Sequence, residues 1–238
     1  MNPEAFNGPV FFILSHASGS AFHYLEGFQR LGARLSLAPL DLPGHGKRRD
    51  EPLLYSMGGI VADLLAQARP FLEGGKGYYV FGHSMGALNA FLLALAITGA
   101  GLGAPRRLFL SSYSTPGWHP IPPGMSGLPD LELWETSADR FGVLFGQRVP
   151  TEEQMGLFTP VYRADLVAVE NYSRPEPIPV LGAPITAVYA ESDMVDRALV
   201  SAWQGWTSFP LEVIELPGGH FHPLEMPAQL EEIILSRL

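Results

Sequence analysis

Short apolar runs alternate with segments of helical period along most of this chain. Residues 9–15, PVFFILS, break off into Ser-His-Ala-Ser-Gly-Ser, the pattern of a buried strand entering a loop. The stretch 34–46, RLSLAPLDLPGHG, repeats the plan and ends in a Pro-Gly turn. Over 56–73 the apolar positions Ile60, Val61, Leu64, Leu65 and Ala68 keep helical spacing. Further strands are expected at 76–82, 106–112, 183–193 and 211–219, and an apolar helix follows the first of these and ends near Gly99. RALVSAWQGW predicts a helix between the last two strands. Another starts at Pro227, a residue suited to the first helical position.

The strands are short, apolar and rich in branched residues, so both faces of the sheet they form must be covered. That predicts an α/β chain with a mostly parallel central sheet flanked by helices. Residues 116–177 interrupt the alternation. They are rich in Pro and Gly up to 129, amphipathic over 130–173, and rich in proline again at 175, 177 and 179. This block is expected outside the sheet, as a helical lid inserted after the strand near 106–112. The core is then 1–115 with 178–238, and the lid 116–177.

Composition narrows the partners. The chain has 238 residues, 47% hydrophobic and 16% charged, with a net charge of −9. That is a globular composition, and its negative field argues against nucleic acid and anionic membrane surfaces. There is no cysteine, which excludes disulfides, zinc-thiolate sites and a thiol nucleophile, and suits a reducing cytoplasm. The start, MNPEAFNGPVFFILSH, lacks a basic segment and carries Glu4, so no signal peptide is expected. The uncharged run 86–105 contains Asn89 and Thr98 and is read as a buried helix, not a membrane span.

The chemistry starts at VFGHSMGA. Gly82, Ser84 and Gly86 fit Gly-x-Ser-x-Gly, between a predicted strand and a predicted helix, the context of a nucleophile elbow. A serine hydroxyl needs a base, and the base needs an orienting acid. On this scaffold they follow in the order serine, acid, histidine. Glu191, Asp193 and Asp196 follow the fifth strand, and His220 follows the sixth. Asp193 is the best-placed acid; capping the next helix is the plainer role for Asp193 or Asp196. Oxyanion donors are expected at the backbone of Met85, after the nucleophile, and of Ala17, in the loop after the first strand. His16 precedes the serine, so it is read as shaping that loop. The His-x-His pair raises a metal site, but such sites need three or more ligands and no further cluster accompanies it, so no metal is expected. His222 precedes Pro223, which favours extended backbone, and is read as a bystander on the rim.

Taken together, SHASGSAFHY, LPGHGKRRDEP, FGHSMGA, YRADLVAVENY, ITAVYAESD and LPGGHFH resemble the type II thioesterases, stand-alone α/β-hydrolases that serve polyketide and nonribosomal peptide synthetases. GHSMG by itself is shared by many lipases. The resemblance implies the α/β-hydrolase fold and hydrolysis of acyl thioesters on the phosphopantetheine arm of acyl or peptidyl carrier domains. It puts Ser84, Asp193 and His220 on the triad positions and Ala17 and Met85 on the oxyanion positions. It implies no cofactor beyond the substrate's own phosphopantetheine; a cytoplasmic monomer without membrane or nucleic-acid partners is expected. Three departures stand out: little precedes the first strand, AESD replaces a glycine-acid pair, and His222 stands where an aromatic residue is common.

His16, His83, Trp134, Phe141 and Phe145 are candidates for substrate contact. Leu131, Leu133, Leu144 and Phe158 are further candidates for the wall of an acyl channel, with plain packing of the lid as the alternative. Lys47, Arg48 and Arg49 form the only dense basic cluster, a candidate dock for the pantetheine phosphate or an acidic carrier helix, with a solvated loop as the alternative. The competing readings are a general esterase or lipase on small free esters or acyl-CoA, and a non-enzymatic accessory subunit.

Overall fold

The computed structural model describes residues 8–142 and 149–238. Strands β1 (Val10–Leu14), β2 (Ser36–Pro39), β3 (Tyr78–His83), β4 (Arg107–Ser111), β5 (Ile185–Ala190) and β6 (Glu212–Leu216) make one sheet in the order β2-β1-β3-β4-β5-β6. Every neighbouring pair among them is parallel. The helices are α1 (Met57–Leu72), α2 (Met85–Gly99), α3 (Asp130–Phe141), α4 (Glu152–Glu170), α5 (Arg197–Ser201), α6 (His222–Glu225) and α7 (Pro227–Leu235).

Alternating side chains of each inner strand feed two cores. Val10, Phe12 and Leu14 of β1 join Tyr78 and Val80 of β3 and the buried face of α1 and α2. Phe11 and Ile13 join Tyr79, Phe81 and Leu230 and Ile234 of α7 on the other side. A strand buried on both faces reads as a continuous apolar run, which is why these segments were visible in the sequence. The outer strands are shorter than their apolar stretches: β2 has four residues, and β6 stops at Leu216. The expected helix over 197–206 is α5 followed by a 3-10 turn at Ala202–Trp206. No described helix is long and apolar enough to cross a membrane.

Between β4 and β5 the chain leaves the sheet for α3 and α4. Thr151 starts α4 with a capping box, its hydroxyl accepting from the Gln154 N–H while the Gln154 side chain accepts from the Thr151 N–H. Gly142, at φ 83°, ends α3 in a conformation that favours glycine. Ile121, Met125, Leu133, Tyr162 and Leu166 give this segment a small core of its own.

The strand order reverses at β1 and β3: from β1 the chain goes to the β2 edge, then returns past β1 to β3. Loops leaving the carboxyl ends of such a pair part from each other and open a crevice. Residues 15–20 and Ser84 sit there.

Candidate active site

Ser84 is the single residue between β3 and α2, at φ 56° and ψ −126°. A non-glycine residue rarely adopts that backbone, so the surroundings must hold it. The Ser84 N–H donates to the Ser111 carbonyl at the end of β4, 2.8 Å away. Its glycine neighbours allow the approach. A Cβ on Gly82 would lie 2.0 Å from the Gly86 carbonyl oxygen, and one on Gly86 would lie 2.5 Å from the carbonyl oxygens of Leu14 and Ser15. The elbow is thus pressed backbone to backbone against the end of β1.

The three carboxylates after β5 take different paths. Asp196 caps α5, accepting from the Leu199 N–H at 2.8 Å. Glu191 is exposed. The Asp193 side chain is 0% exposed and faces His220, whose Nδ1 lies 3.0 and 3.1 Å from its two oxygens. Burial alone would raise the Asp193 carboxyl; its hydrogen bond to His220 and the His220 charge outweigh that and hold it below the ordinary range. With Nδ1–H donating to the carboxylate, Nε2 is left to accept from Ser84 Oγ, 3.0 Å away. This chain of groups can move a proton off the serine hydroxyl and stabilise the imidazolium that results.

A cavity of about 380 Å³ opens over Ser84 and His220. Trp134, Ala138 and Phe141 line it from one face of α3, and Gln154, Phe158 and Tyr162 from one face of α4. The spacings of three to four residues turn both sets to one side. Trp134 stacks on Tyr162 with ring centres 4.9 Å apart, and the Phe141 ring is 4.9 Å from that of His220. Leu133 is buried in the small helical core and Leu131 is exposed; neither lines the cavity. Leu144 and Phe145 lie outside the described residues. Ala17 lines the cavity beside Ser84, and Met85 opens α2, where the first N–H groups have no partner within the helix.

Three histidines differ from expectation or refine it. His16 does line the cavity, but His83 does not: it is 0% exposed, behind the site, with Nδ1 3.1 Å from Ser111 Oγ. A side chain on the last residue of β3 points into the protein when its neighbour Ser84 points out. His222 is also 0% exposed and not on the rim. It opens α6 instead of running extended, and its Nε2 lies 3.0 Å from Ser111 Oγ. Proline fits the first turn of a helix as well as it fits extended chain, so the local signal was ambiguous. His220 and His222 therefore do not converge on a common point: one pair of ring nitrogens serves Ser84 and Asp193, and the other ring faces Ser111.

Burial, reinforced by His220, pushes the His83 imidazole well below its usual 6.5, and burial pushes His222 down to about 4. Unfolded, both would protonate near 6.5, so the unfolded chain binds protons that the fold excludes. Their contribution, joined by that of His16, which burial pushes down to about 3, is therefore complete above 6.5 and falls as the pH drops toward 4, by up to about 1.4 kcal/mol per pH unit for each group. His45, shifted upward, contributes in the opposite sense, its part being lost as the pH rises above 6.5. Urea midpoints should fall between pH 7 and 5.5, and His222→Gln should flatten that slope by about one proton. Midpoints constant over this range would refute the buried neutral pair.

The expected basic cluster is divided. Arg48 is consumed within the chain, its guanidinium donating to Asp63, Glu51 and the Asp41 carbonyl. Lys47 lies over the Phe22 ring, 3.8 Å from its centre, and Arg49 is 80% exposed with Asp50 4.0 Å away.

Two buried carboxylates escaped the sequence reading. Asp41 accepts from Ser20 Oγ and from the N–H groups of Ala21 and Lys47. Asp165 of α4 accepts from the Ser18 N–H and faces His45. Both carboxylates fasten the loop after β1. The motifs YRADLVAVENY and LPGHGKRRDEP contain Asp165 and His45, but nothing in one sequence says that they meet.

A family model described as "Thioesterase domain" matches residues 9–237. "Linear gramicidin dehydrogenase LgrE" of Brevibacillus parabrevis is 31% identical over 96% of this chain and 87% of its own length. "S-acyl fatty acid synthase thioesterase, medium chain" of Homo sapiens is 30% identical over 94% of this chain and 83% of its own. Among solved structures, ClbQ from the colibactin NRPS/PKS pathway superposes with a TM-score of 0.90 at 27% identity, covering 97% of each chain. The fold is thus that of the α/β-hydrolases, with the parallel sheet and flanking helices expected.

Proposed function

The chain belongs to the thioesterase domain family, and we propose that its substrate is an acyl group held as a thioester on the phosphopantetheine arm of an acyl or peptidyl carrier domain. It is an enzyme of the type II class found in polyketide and nonribosomal peptide pathways. In the proposed reaction His220 Nε2 takes the Ser84 proton as Oγ attacks the thioester carbonyl. The N–H groups of Ala17 and Met85 receive the oxyanion. Collapse breaks the C–S bond, and His220 returns the proton to the leaving thiolate. Water, deprotonated by His220, then cleaves the acyl-serine and restores Ser84. Asp193 keeps the imidazole in the required tautomer throughout.

The observation that carries this reading is the Asp193–His220–Ser84 hydrogen-bonded chain opening into a largely apolar cavity. In this account α3 and α4 are the lid, and Trp134, Phe141 and Phe158 wall the acyl chain. One relative bears a dehydrogenase name. A dinucleotide seat calls for Gly-x-Gly-x-x-G after the first strand, whereas this chain has Ser-His-Ala-Ser-Gly-Ser there. We read the protein as a cytoplasmic monomer that needs no metal or cofactor of its own.

The test compares one acyl chain presented on a holo carrier protein, on a small soluble thiol and on an oxygen alcohol. The carrier thioester should be turned over at least about tenfold faster in kcat/KM than the others. A faster oxygen ester would instead identify a general esterase. Neutralising Lys47 and Arg49 together should slow only the carrier-bound substrate, by about three- to tenfold. Equal losses on the soluble thioester would remove these residues from docking.

A further inference from the structure

The loop that carries Ala17 is held by a residue that does not belong to the sheet domain. Ser18, immediately after Ala17, has φ 61°, a backbone conformation that a serine holds only if its surroundings impose it. Its N–H donates to Asp165 Oδ2 at 2.7 Å. Asp165 sits on α4, 147 positions away in sequence, and is 2% exposed. The same oxygen lies 2.9 Å from His45 Nε2.

The other face of His45 also meets an acceptor. Nδ1 lies 3.0 Å from the Pro43 carbonyl oxygen, which can only accept, so Nδ1 carries a proton. Nε2 faces a carboxylate oxygen that already accepts from the Ser18 N–H. Both ring nitrogens thus face oxygen acceptors, the arrangement that suits an imidazolium. The charges around it agree: Asp165 from α4 and Asp41 from the end of β2 favour the cation, and His16 from the loop after β1 is the facing imidazole, held neutral. Despite burial, these carboxylates and the Pro43 carbonyl keep His45 above its usual range. A buried carboxylate paired with a cation can hold a strained amide.

We propose that Asp165 and His45 are positioning residues for the oxyanion loop, so that the geometry of the Ala17 N–H depends on α4 being seated against the core. This rests on the proposed role of Ala17. Neither residue touches the reacting atoms. If α4 lifts away, Ser18 loses its acceptor, and the loop is free to leave φ 61°, moving the donor next to it. The site would then be competent for acyl transfer only with the helical segment closed over it.

Three measurements test this. First, the nitrogen-resolved imidazole spectrum of the wild-type protein at pH 7 should show His45 with both nitrogens protonated. A single-protonated, neutral His45 overturns the proposal. Second, Asp165→Asn keeps the shape of the side chain but removes its charge. On a small soluble thioester it should lower kcat by about ten- to hundredfold and leave KM within about twofold, with Ser84 phosphonylation by a fluorophosphonate slowed in parallel. A folded variant with unchanged kcat per titrated active site, whatever its melting temperature, overturns it. Third, His45→Gln retains an amide donor to Asp165 and should lose less than Asp165→Asn. The double variant should lose little more than Asp165→Asn alone, and additive losses would contradict a coupled pair. Should Asp165→Asn fail to fold, His45→Gln and the wild-type spectrum still decide the matter. The spectrum is independent of substrate. Carrier-thioester hydrolysis that survived Ser84→Ala would defeat the proposed function and leave the His45 result standing.

Discussion

His220→Ala should lower kcat/KM on thioesters by about 10⁴-fold or more, while His222→Gln should keep it within about tenfold of wild type. The two histidines are separated by one residue, yet their surroundings give them unlike tasks. His220 stands between Ser84 Oγ and Asp193, with both ring nitrogens engaged at 3.0 Å. In the proposed reaction, removing it takes away the proton acceptor and leaves the hydroxyl as weak a nucleophile as any serine. His222 faces Ser111 Oγ, which also meets His83, and its ring makes no hydrogen bond to Ser84 or Asp193 among the described contacts. Glutamine can keep a hydrogen bond to Ser111 at similar length. Steady-state kinetics checked against fluorophosphonate labelling of Ser84 decide the point. Comparable losses in the two variants would show that the imidazole pair works as a unit and would overturn the separation of roles.

The second large effect concerns folding. Gly86→Ala should destabilise the protein by about 3 kcal/mol or more, or prevent folding, because the added methyl meets the carbonyl oxygens of Leu14 and Ser15 at 2.5 Å. Those atoms belong to the backbone at the end of β1 and cannot swing aside as a side-chain tip would. Relief would need α2 to move off the sheet and would carry Ser84 with it. Gly99, at the other end of the same helix, has nothing within 4 Å of its would-be Cβ. Gly99→Ala should therefore stabilise by about 0.4–1 kcal/mol, through the entropy of the unfolded chain. Denaturant midpoints of the pair measure both. A Gly86→Ala protein as stable as wild type would mean that the elbow has slack that its geometry does not reveal.

The parts legible in the sequence were those with local causes. A strand buried on both faces must be apolar throughout, so PVFFILS and KGYYVFG announced β1 and β3. The elbow was legible because its steric demand falls on residues two positions either side of the serine. The contact of Asp193 with His220 follows chain order, since both sit after the carboxyl ends of strands that a parallel sheet must align. The motif pieces that pointed to the family likewise span most of the chain.

What the sequence left open depends on long-range contacts. Nothing local separates His83 and His222, fully buried against Ser111, from residues that line a cavity or rim. Arg48 looks like part of a basic patch until Asp63, fifteen positions on, is folded against it. The Asp165–His45 contact closes over 120 residues and the Asp165–Ser18 contact over 147. Periodicity and motif spacing report the demands of one element or one turn. Which carboxylate meets which imidazole is decided when the helical segment packs on the sheet, because only then are the alternative partners of each buried polar group excluded along with water.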